Sequence, residues 1–365
     1  MTDVSSRALA FEPLRRIGWR DADAHGLPVE LATGRRVARV IAQHRSGYRV
    51  HDGIEELAVQ APAAMIRAGV DPRTRPAVGD WAVLAPGKPP LIETLLPRRT
   101  LLVRAAAGER YETQPIAANV DHVLIVCGLD HDYNPRRIER YLVLVQGSGA
   151  LPIVVLTKRD LVADPDTPRR EIEALAGPAG IVLAVDAKSR ATADLLAPYL
   201  GPGDTAVLVG SSGAGKSTLT NTLLGIEKQK TSGVREHDSR GRHTTTHRAL
   251  IPLPQGGCLI DTPGMRELKL TGDEPIDIAQ FADLAALASE CRFSDCRHET
   301  EPGCRIRAGI ASGEVDPERY AHWVKLGAEL DAARDAAEAK RRKKADEKVG
   351  NKVLGKRLIE KYGHR

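Results

Sequence analysis

Gly210-Ser211-Ser212-Gly213-Ala214-Gly215-Lys216-Ser217 is the stretch on which the fold turns. It follows the apolar run Ala206 to Val209 and precedes helical sequence beginning near Lys216, which is the strand–loop–helix setting of a phosphate loop. Its glycines let backbone N–H groups converge on phosphate oxygens at a helix N-terminus, where the helix dipole favours negative charge. Lys216 is placed to reach the β and γ phosphates and Ser217 to hold Mg²⁺, with Thr218 the next nucleotide-binding position. A chance glycine-rich turn would not bring a flanking strand and helix with it.

Downstream, Asp261-Thr262-Pro263-Gly264 follows the apolar run Cys258-Leu259-Ile260. Asp261 therefore lies at a strand end, fit for the Mg²⁺ shell, and Gly264 can offer its N–H to a γ-phosphate. Taken alone, Asp-x-x-Gly also marks plain turns. Between the two motifs lies Gly241-Arg242-His243-Thr244-Thr245-Thr246-His247, where GTPases place a threonine that senses Mg²⁺ and the γ-phosphate. Thr245 is the candidate, although three threonines in a row also suit the start of a strand. Met265 stands where many GTPases carry a water-orienting glutamine, and a thioether cannot do that work. Slow unaided hydrolysis is expected, with His243 a catalytic candidate beside Lys216 and Thr245. His243 reads equally well as shaping the switch only.

The guanine-reading motif comes before the phosphate loop instead of after it. Thr157-Lys158-Arg159-Asp160 follows Ile153-Val154-Val155-Leu156, so Asp160 sits at a strand end, able to accept from guanine N1–H and the 2-amino group. Adenine supplies neither, and a site built on such pairing rejects an unmatched analogue by roughly four to five powers of ten. A P-loop ATPase is thereby disfavoured. The usual first residue is asparagine, so Thr157 is expected to weaken the tie between this loop and the phosphate loop. Asp186-Ala187-Lys188 is a candidate backbone loop for the base.

From Arg36 to about Val103 short β-rich segments broken by Gly and Pro suggest a small β-barrel. Tyr48 and Trp81 suit its core better than base stacking. After Asn119 strand and helix alternate: Asn134-Pro135 supplies a cap and first-turn proline for Arg136 to Gln146, and helices are expected near Arg169 to Leu175 and Ala191 to Leu200. That alternation predicts a parallel sheet with ligands at the carboxyl ends of its strands. After Asp277 the pattern is helical. The expected domains are residues 1–112, 113–275 and 276–365, and the last helix is expected to fray at Gly350 and Gly355.

Of five cysteines, three cluster beside a histidine, as Cys291, Cys296, His298 and Cys304. Three thiolates and one imidazole make a closed tetrahedral set, the chemistry of a structural zinc ion. Cys127 and Cys258 lie in apolar runs and read as core packing. The chain of 365 residues is 28% charged, with net charge +5, which suits a soluble cytoplasmic protein and a phosphate-rich partner. No secreted disulfide framework, leader or membrane span is read from it. Basic residues crowd the end of the chain from Lys340 to Lys361; a solvated helix face and nucleic-acid binding both account for them.

Together these residues resemble the circularly permuted, small-ribosomal-subunit-dependent GTPases of the RsgA or YjeQ family. The resemblance rests on Val78-Gly79-Asp80-Trp81, Ala118-Asn119-Val120-Asp121, Thr157 to Asp160, Gly210 to Ser217, Gly241 to Thr246, Asp261 to Glu267 and the Cys/His cluster, in that order. It implies a multidomain α/β chain: an OB-type β-barrel, a circularly permuted P-loop GTPase domain and a helical zinc-binding domain. It also implies GTP hydrolysis in late maturation of the small subunit, stimulated by that subunit, with rRNA, GTP and GDP as partners and Zn²⁺ and Mg²⁺ as cofactors. The chain is read as a monomer without a membrane partner. A rival reading is an RNA-docking module that uses GTP only as a timer. Because Gly264 leads into the cysteine-bearing region, a moving switch is expected to pull on that region.

Overall fold

Five short strands form the first unit of the computed structural model, which describes residues 11–27, 34–44, 46–67, 70–105, 113–177, 180–226, 249–262 and 281–362. They are β1 (Arg36–His44), β2 (Gly47–His51), β3 (Glu56–Val59), β4 (Trp81–Ala85) and β5 (Leu91–Leu95). β1 pairs with β2 and β4, β2 with β3 and β4 with β5, while a bridge from Gln60 to Leu91 closes the circuit. This cyclic order is the expected OB-type barrel. Strand periodicity sorts its residues: Ala38, Val40, Val50, Ala82 and Leu84 fill one core, while Val37, Trp81 and Val83 pack with Leu14, Ile17 and Trp19 of the N-terminal segment. Tyr48 and Trp81 are both buried and spent on packing.

β6 (Leu101–Ala105) and β7 (Thr113–Ala118) pair as a separate two-stranded ribbon. The expected boundary between residues 112 and 113 falls inside this pairing.

The alternating region supplies β8 (His122–Gly128), α1 (Pro135–Gln146), β9 (Leu151–Thr157), α2 (Asp166–Ala176), β10 (Ile181–Ala184), α3 (Arg190–Leu196), β11 (Thr205–Val209) and α4 (Lys216–Leu223). β12 (Ala249–Pro252) and β13 (Cys258–Asp261) follow. β10, β9, β8, β11 and β13 lie side by side in that order, all parallel. Their runs of Val, Ile and Leu are buried because helices cover both faces. α1 starts where the sequence placed it: the Asn134 side chain accepts from Arg137 N–H at 3.0 Å, with Pro135 in the first turn.

β12 runs antiparallel to β13 on one side and meets β1 at Ala42 and Ala249 on the other, so barrel and parallel strands share one sheet. Arg39 pins this junction. Wholly buried, it donates to the carbonyls of Ile17, Gly79 and Asn119 and to Thr205 Oγ1 at 2.9 Å, and its guanidinium lies 5.0 Å from the Trp81 ring. Four acceptors from four segments of chain compensate its desolvation. One of them opens β11, the strand that leads into the phosphate loop.

The chain ends in α5 (Ala282–Ser289), α6 (Arg305–Ser312) and α7 (Pro317–Tyr362). α7 runs unbroken through Gly350 and Gly355, where fraying was expected. A glycine costs a helix only about 1 kcal/mol relative to alanine, and the Ala, Lys, Glu and Arg around both are strong helix formers. Among the described residues no helix is long and apolar enough to cross a membrane.

Candidate active site

Three of the predicted motifs meet at the carboxyl edge of the parallel strands. The phosphate loop follows β11, Thr157 to Asp160 closes β9, and Asp261 ends β13, a direct neighbour of β11. Inverted order in sequence is no obstacle, because strand order in the sheet and not chain order decides which loops are adjacent.

Within the phosphate loop, Gly210 has φ of 140° and a Cβ there would sit 2.1 Å from the Val126 carbonyl oxygen. Gly215, with φ of 99°, packs against Thr157, whose Oγ1 would lie 3.2 Å from an added Cβ. Both positions need glycine for conformation and for space. Ala214 is buried, while Ser212, Gly213 and Ser217 face outward at the start of α4. Lys216 Nζ arches over the loop and donates to the carbonyls of Gly210 at 2.7 Å and Ser211 at 2.5 Å.

Thr157 departs from the expectation set for it. Its side chain is fully buried and its hydroxyl donates to the Ala214 carbonyl at 2.5 Å, tying the guanine loop directly to the phosphate loop. The shorter side chain suffices because Gly215 lets the two backbones come close. Next to it, Lys158 takes a left-handed φ of 61°. Asp160 is exposed, with Lys188 Nζ 3.6 Å from its carboxylate. Asp186-Ala187-Lys188 is brought beside it: Arg159 N–H donates to Val185 O at 3.2 Å, and Thr222 of α4 holds Ala187 O at 2.6 Å.

Sequence reasoning missed the loop after β8. Since β8 lies between β9 and β11, residues 129–134 run between the guanine and phosphate loops, and two carboxylates there grip one each. Asp130 accepts from Lys158 Nζ at 2.6 Å, and Asp132 accepts from Ser211 Oγ at 2.6 and 2.7 Å. Slight burial pushes the Asp130 carboxyl up, but Lys158 and the Asp132 N–H outweigh it and hold it below its ordinary range. The signal available in sequence was an Asp-x-Asp immediately after a buried strand. Thr262 was also missed as an anchor: it is buried and donates to Leu208 O of β11 at 2.8 Å, fixing the start of Asp-x-x-Gly. His243, Thr245 and Gly264 lie outside the described residues.

The Cys/His cluster assembles as predicted. One ligand atom from each of Cys291, Cys296, His298 and Cys304 lies within 4.8 Å of every other. Cys291 Sγ and Cys304 Sγ are 4.0 Å apart, and His298 Nδ1 is 3.5 and 3.4 Å from them. A tetrahedron with metal–sulfur bonds of about 2.3 Å has edges of about 3.8 Å, so the donor set fits a metal ion. Arg305 N–H and Arg307 N–H, at the start of α6, point at Cys291 and Cys304. Burial raises the Cys291 thiol, yet the N–H groups of Arg305 and Ile306 and the neighbouring thiols overcome this and bring it down. Burial first, then Cys304 and Cys291, push Cys296 up to about 11. A bound cation would favour the thiolate at every one of them.

Comparison with known proteins gives a consistent picture. The RsgA GTPase family model matches residues 95–271. An ABC transporter model matches residues 196–361, a span that takes in the phosphate loop, which many nucleotide-binding proteins share. The small ribosomal subunit biogenesis GTPase RsgA of Xanthomonas oryzae pv. oryzae (strain MAFF 311018) is 58% identical over 297 residues, 81% of either chain. That of Xanthomonas axonopodis pv. citri (strain 306) is 58% identical over 298 residues. Among solved structures, YjeQ from Thermotoga maritima aligns with TM-score 0.56 and 27% identity over 81% of this chain and 98% of its own. YloQ, a circularly permuted GTPase, shares the fold with TM-score 0.55 over 84% of this chain and 98% of its own.

Proposed function

The chain belongs to the RsgA GTPase family, and from that premise we propose that it hydrolyses GTP during late maturation of the small ribosomal subunit, binding rRNA on that subunit and leaving it after hydrolysis. The observation that carries the GTP reading is the Thr157–Ala214 bond, which holds the guanine and phosphate loops as one site.

Asp160 accepts from guanine N1–H and the 2-amino group, with Lys158 beside the base and Arg159 continuing the loop. Backbone N–H groups of residues 210–218, at the N-terminus of α4, surround the phosphates, and Lys216 turns its ammonium to the β and γ oxygens. Ser217, in the first turn of α4, and Asp261, at the end of β13, would hold Mg²⁺ together with Thr245, and the ion would supply positive charge against that developing between the phosphates. Gly264 N–H meets the γ-phosphate. With Met265 unable to orient water, unaided turnover is slow; His243, or a group supplied on the small subunit, completes the site. Cys291, Cys296, His298 and Cys304 hold a structural zinc ion that organises the helical region for docking. The protein works as a monomer in the cytoplasm, without a membrane partner.

The test is GTP turnover with and without purified small subunits, alongside cosedimentation. Turnover is expected to rise on adding subunits, and the protein to pellet with them in a nonhydrolysable GTP analogue but not in GDP. Equal turnover would remove the stimulation, and failure to pellet in either nucleotide would leave only the nucleotide chemistry.

A further inference from the structure

Asp132 does more than steady Ser211. The same carboxylate accepts from Arg137 at 2.7 Å and from Gly128 N–H at 3.2 Å, so the phosphate loop is bonded to the first turn of α1. On the same helix Arg136 stands three residues before Glu139 and four before Arg140, on one face of α1. Each meets a residue of α7: Arg136 pairs with Glu318, Glu139 with His322 Nδ1 at 2.5 Å, and Arg140 with Glu329. On α7 those partners fall at steps of four and seven, again one face.

Beneath this ladder, Leu326 and Leu330 of α7 share an apolar cluster with Ile138 and Leu142 of α1. Between the two helices lies a cleft of about 560 Å³ that the ladder residues Arg136, Arg140, Glu318, His322 and Glu329 line, with Arg137 and Lys325. α7 also carries Tyr320 and Trp323, whose rings lie 6.3 and 6.2 Å from His298 of the metal cluster. A chain of bonded and packed groups therefore links the phosphate loop to the Cys/His cluster: Ser211, Asp132, Arg137, the ladder face of α1, α7 and His298.

We propose that α1 is the lever through which force on the metal-bearing region reaches the phosphate loop, with Asp132 as a positioning residue at its attachment point. Coupling between two sites is reciprocal: if γ-phosphate sets the loop and the loop sets α1, then docking on α7 changes how the loop holds GTP. This rests on the stimulation by small subunits proposed above. It places the link on elements separate from the chain that leaves Gly264.

Two measurements on the full chain test it. In the first, hydrogen exchange at residues 317–330 is compared between a nonhydrolysable GTP analogue and GDP. The unaltered protein is expected to show a difference, and Ser211→Ala and Asp132→Asn to lose it, while Ser211→Thr, which keeps the hydroxyl, retains it. In the second, the ratio of subunit-stimulated to basal turnover is expected to fall about tenfold in Glu139→Gln and His322→Gln, with basal turnover and KM for GTP unchanged. A nucleotide-dependent difference that persists in both Ser211→Ala and Asp132→Asn overturns the lever, as does full stimulation in both ladder variants. If the unaltered chain is not stimulated at all, the functional reading fails, and the exchange experiment still judges the lever by itself.

Discussion

The nucleotide loops and the Cys/His cluster reach fixed geometry by opposite means. Each nucleotide loop ends a strand whose last apolar residues, Leu156, Val209 and Ile260, are wholly buried, and each is tied back to a neighbouring strand or loop by Thr157, Asp132 or Thr262. Cys291, Cys296 and His298 sit on half-exposed turns between two helices of eight residues, supported by a few buried apolar groups such as Phe281, Leu284, Ile306 and Val315. The first site takes its order from the sheet, and the second from its ligand set. Loss of one group should therefore be local in the sheet and regional around the cluster.

Metal removal gives the largest expected break in this comparison. So few buried side chains supply about 6 to 12 kcal/mol, which the entropy of ordering the turns consumes, so zinc binding on the order of ten kcal/mol decides whether the region holds its form. Chelation, or Cys304→Ala, should abolish amide protection across residues 291–316 while leaving β8, β9 and β11 protected, as hydrogen exchange with mass spectrometry would report. Retained protection around the cluster would mean that packing alone organises it.

At the sheet site the largest effect belongs to Asp160→Asn. Replacing an acceptor-only carboxylate with an amide should erase the preference for GTP over ATP by about three powers of ten or more, measured by competition binding. Xanthosine triphosphate, with a carbonyl in place of the 2-amino group, should recover part of the lost affinity. Thermal unfolding should barely move, because Asp160 is at the surface. A collapse of stability in this variant would contradict the local character assigned to the sheet loops.

What could be read in advance follows the same division. An apolar run ending in a motif announces a strand-end loop, so the loops that carry Asp160, Ser217 and Asp261 were legible one by one, and spacing announced the Cys/His cluster. Which strands lie side by side was not legible, since periodicity reports burial and not order. That is why Asp130 and Asp132, which matter only because β8 separates β9 from β11, went unseen. Arg39 was hidden for a related reason: within Val37-Ala38-Arg39-Val40-Ile41 strand alternation reads an arginine as facing water, whereas the barrel packs against further chain on that side.

A smaller effect sharpens the account of Thr157. Thr157→Val keeps the shape and leaves the Ala214 carbonyl without its partner, a cost of about 1 to 3 kcal/mol in a buried site. GTP affinity should fall with stability, since the bond joins the two loops proposed to hold base and phosphates, and titration of a fluorescent GTP analogue beside thermal unfolding would read both. Unchanged affinity would return Thr157 to the weak tie that its departure from asparagine first suggested.

The smallest effect concerns the basic end. Lys340, Lys344, Lys348, Lys352 and Lys356 recur every four residues along α7, so their Cα atoms rise about 6 Å and turn about 40° per step, winding partway round the helix. A run of lysines that neutralises phosphates releases counterions, and each phosphate contact on a nucleic acid contributes about 0.7 to 0.9 to the slope of log affinity against log salt. Ending the chain after Ala339 should therefore lower the salt slope for small-subunit binding by several units, with only modest weakening at high salt and no change in GTP binding. An unaltered slope would assign the lysines to solvating the helix, and the docking surface would then lie nearer the metal centre.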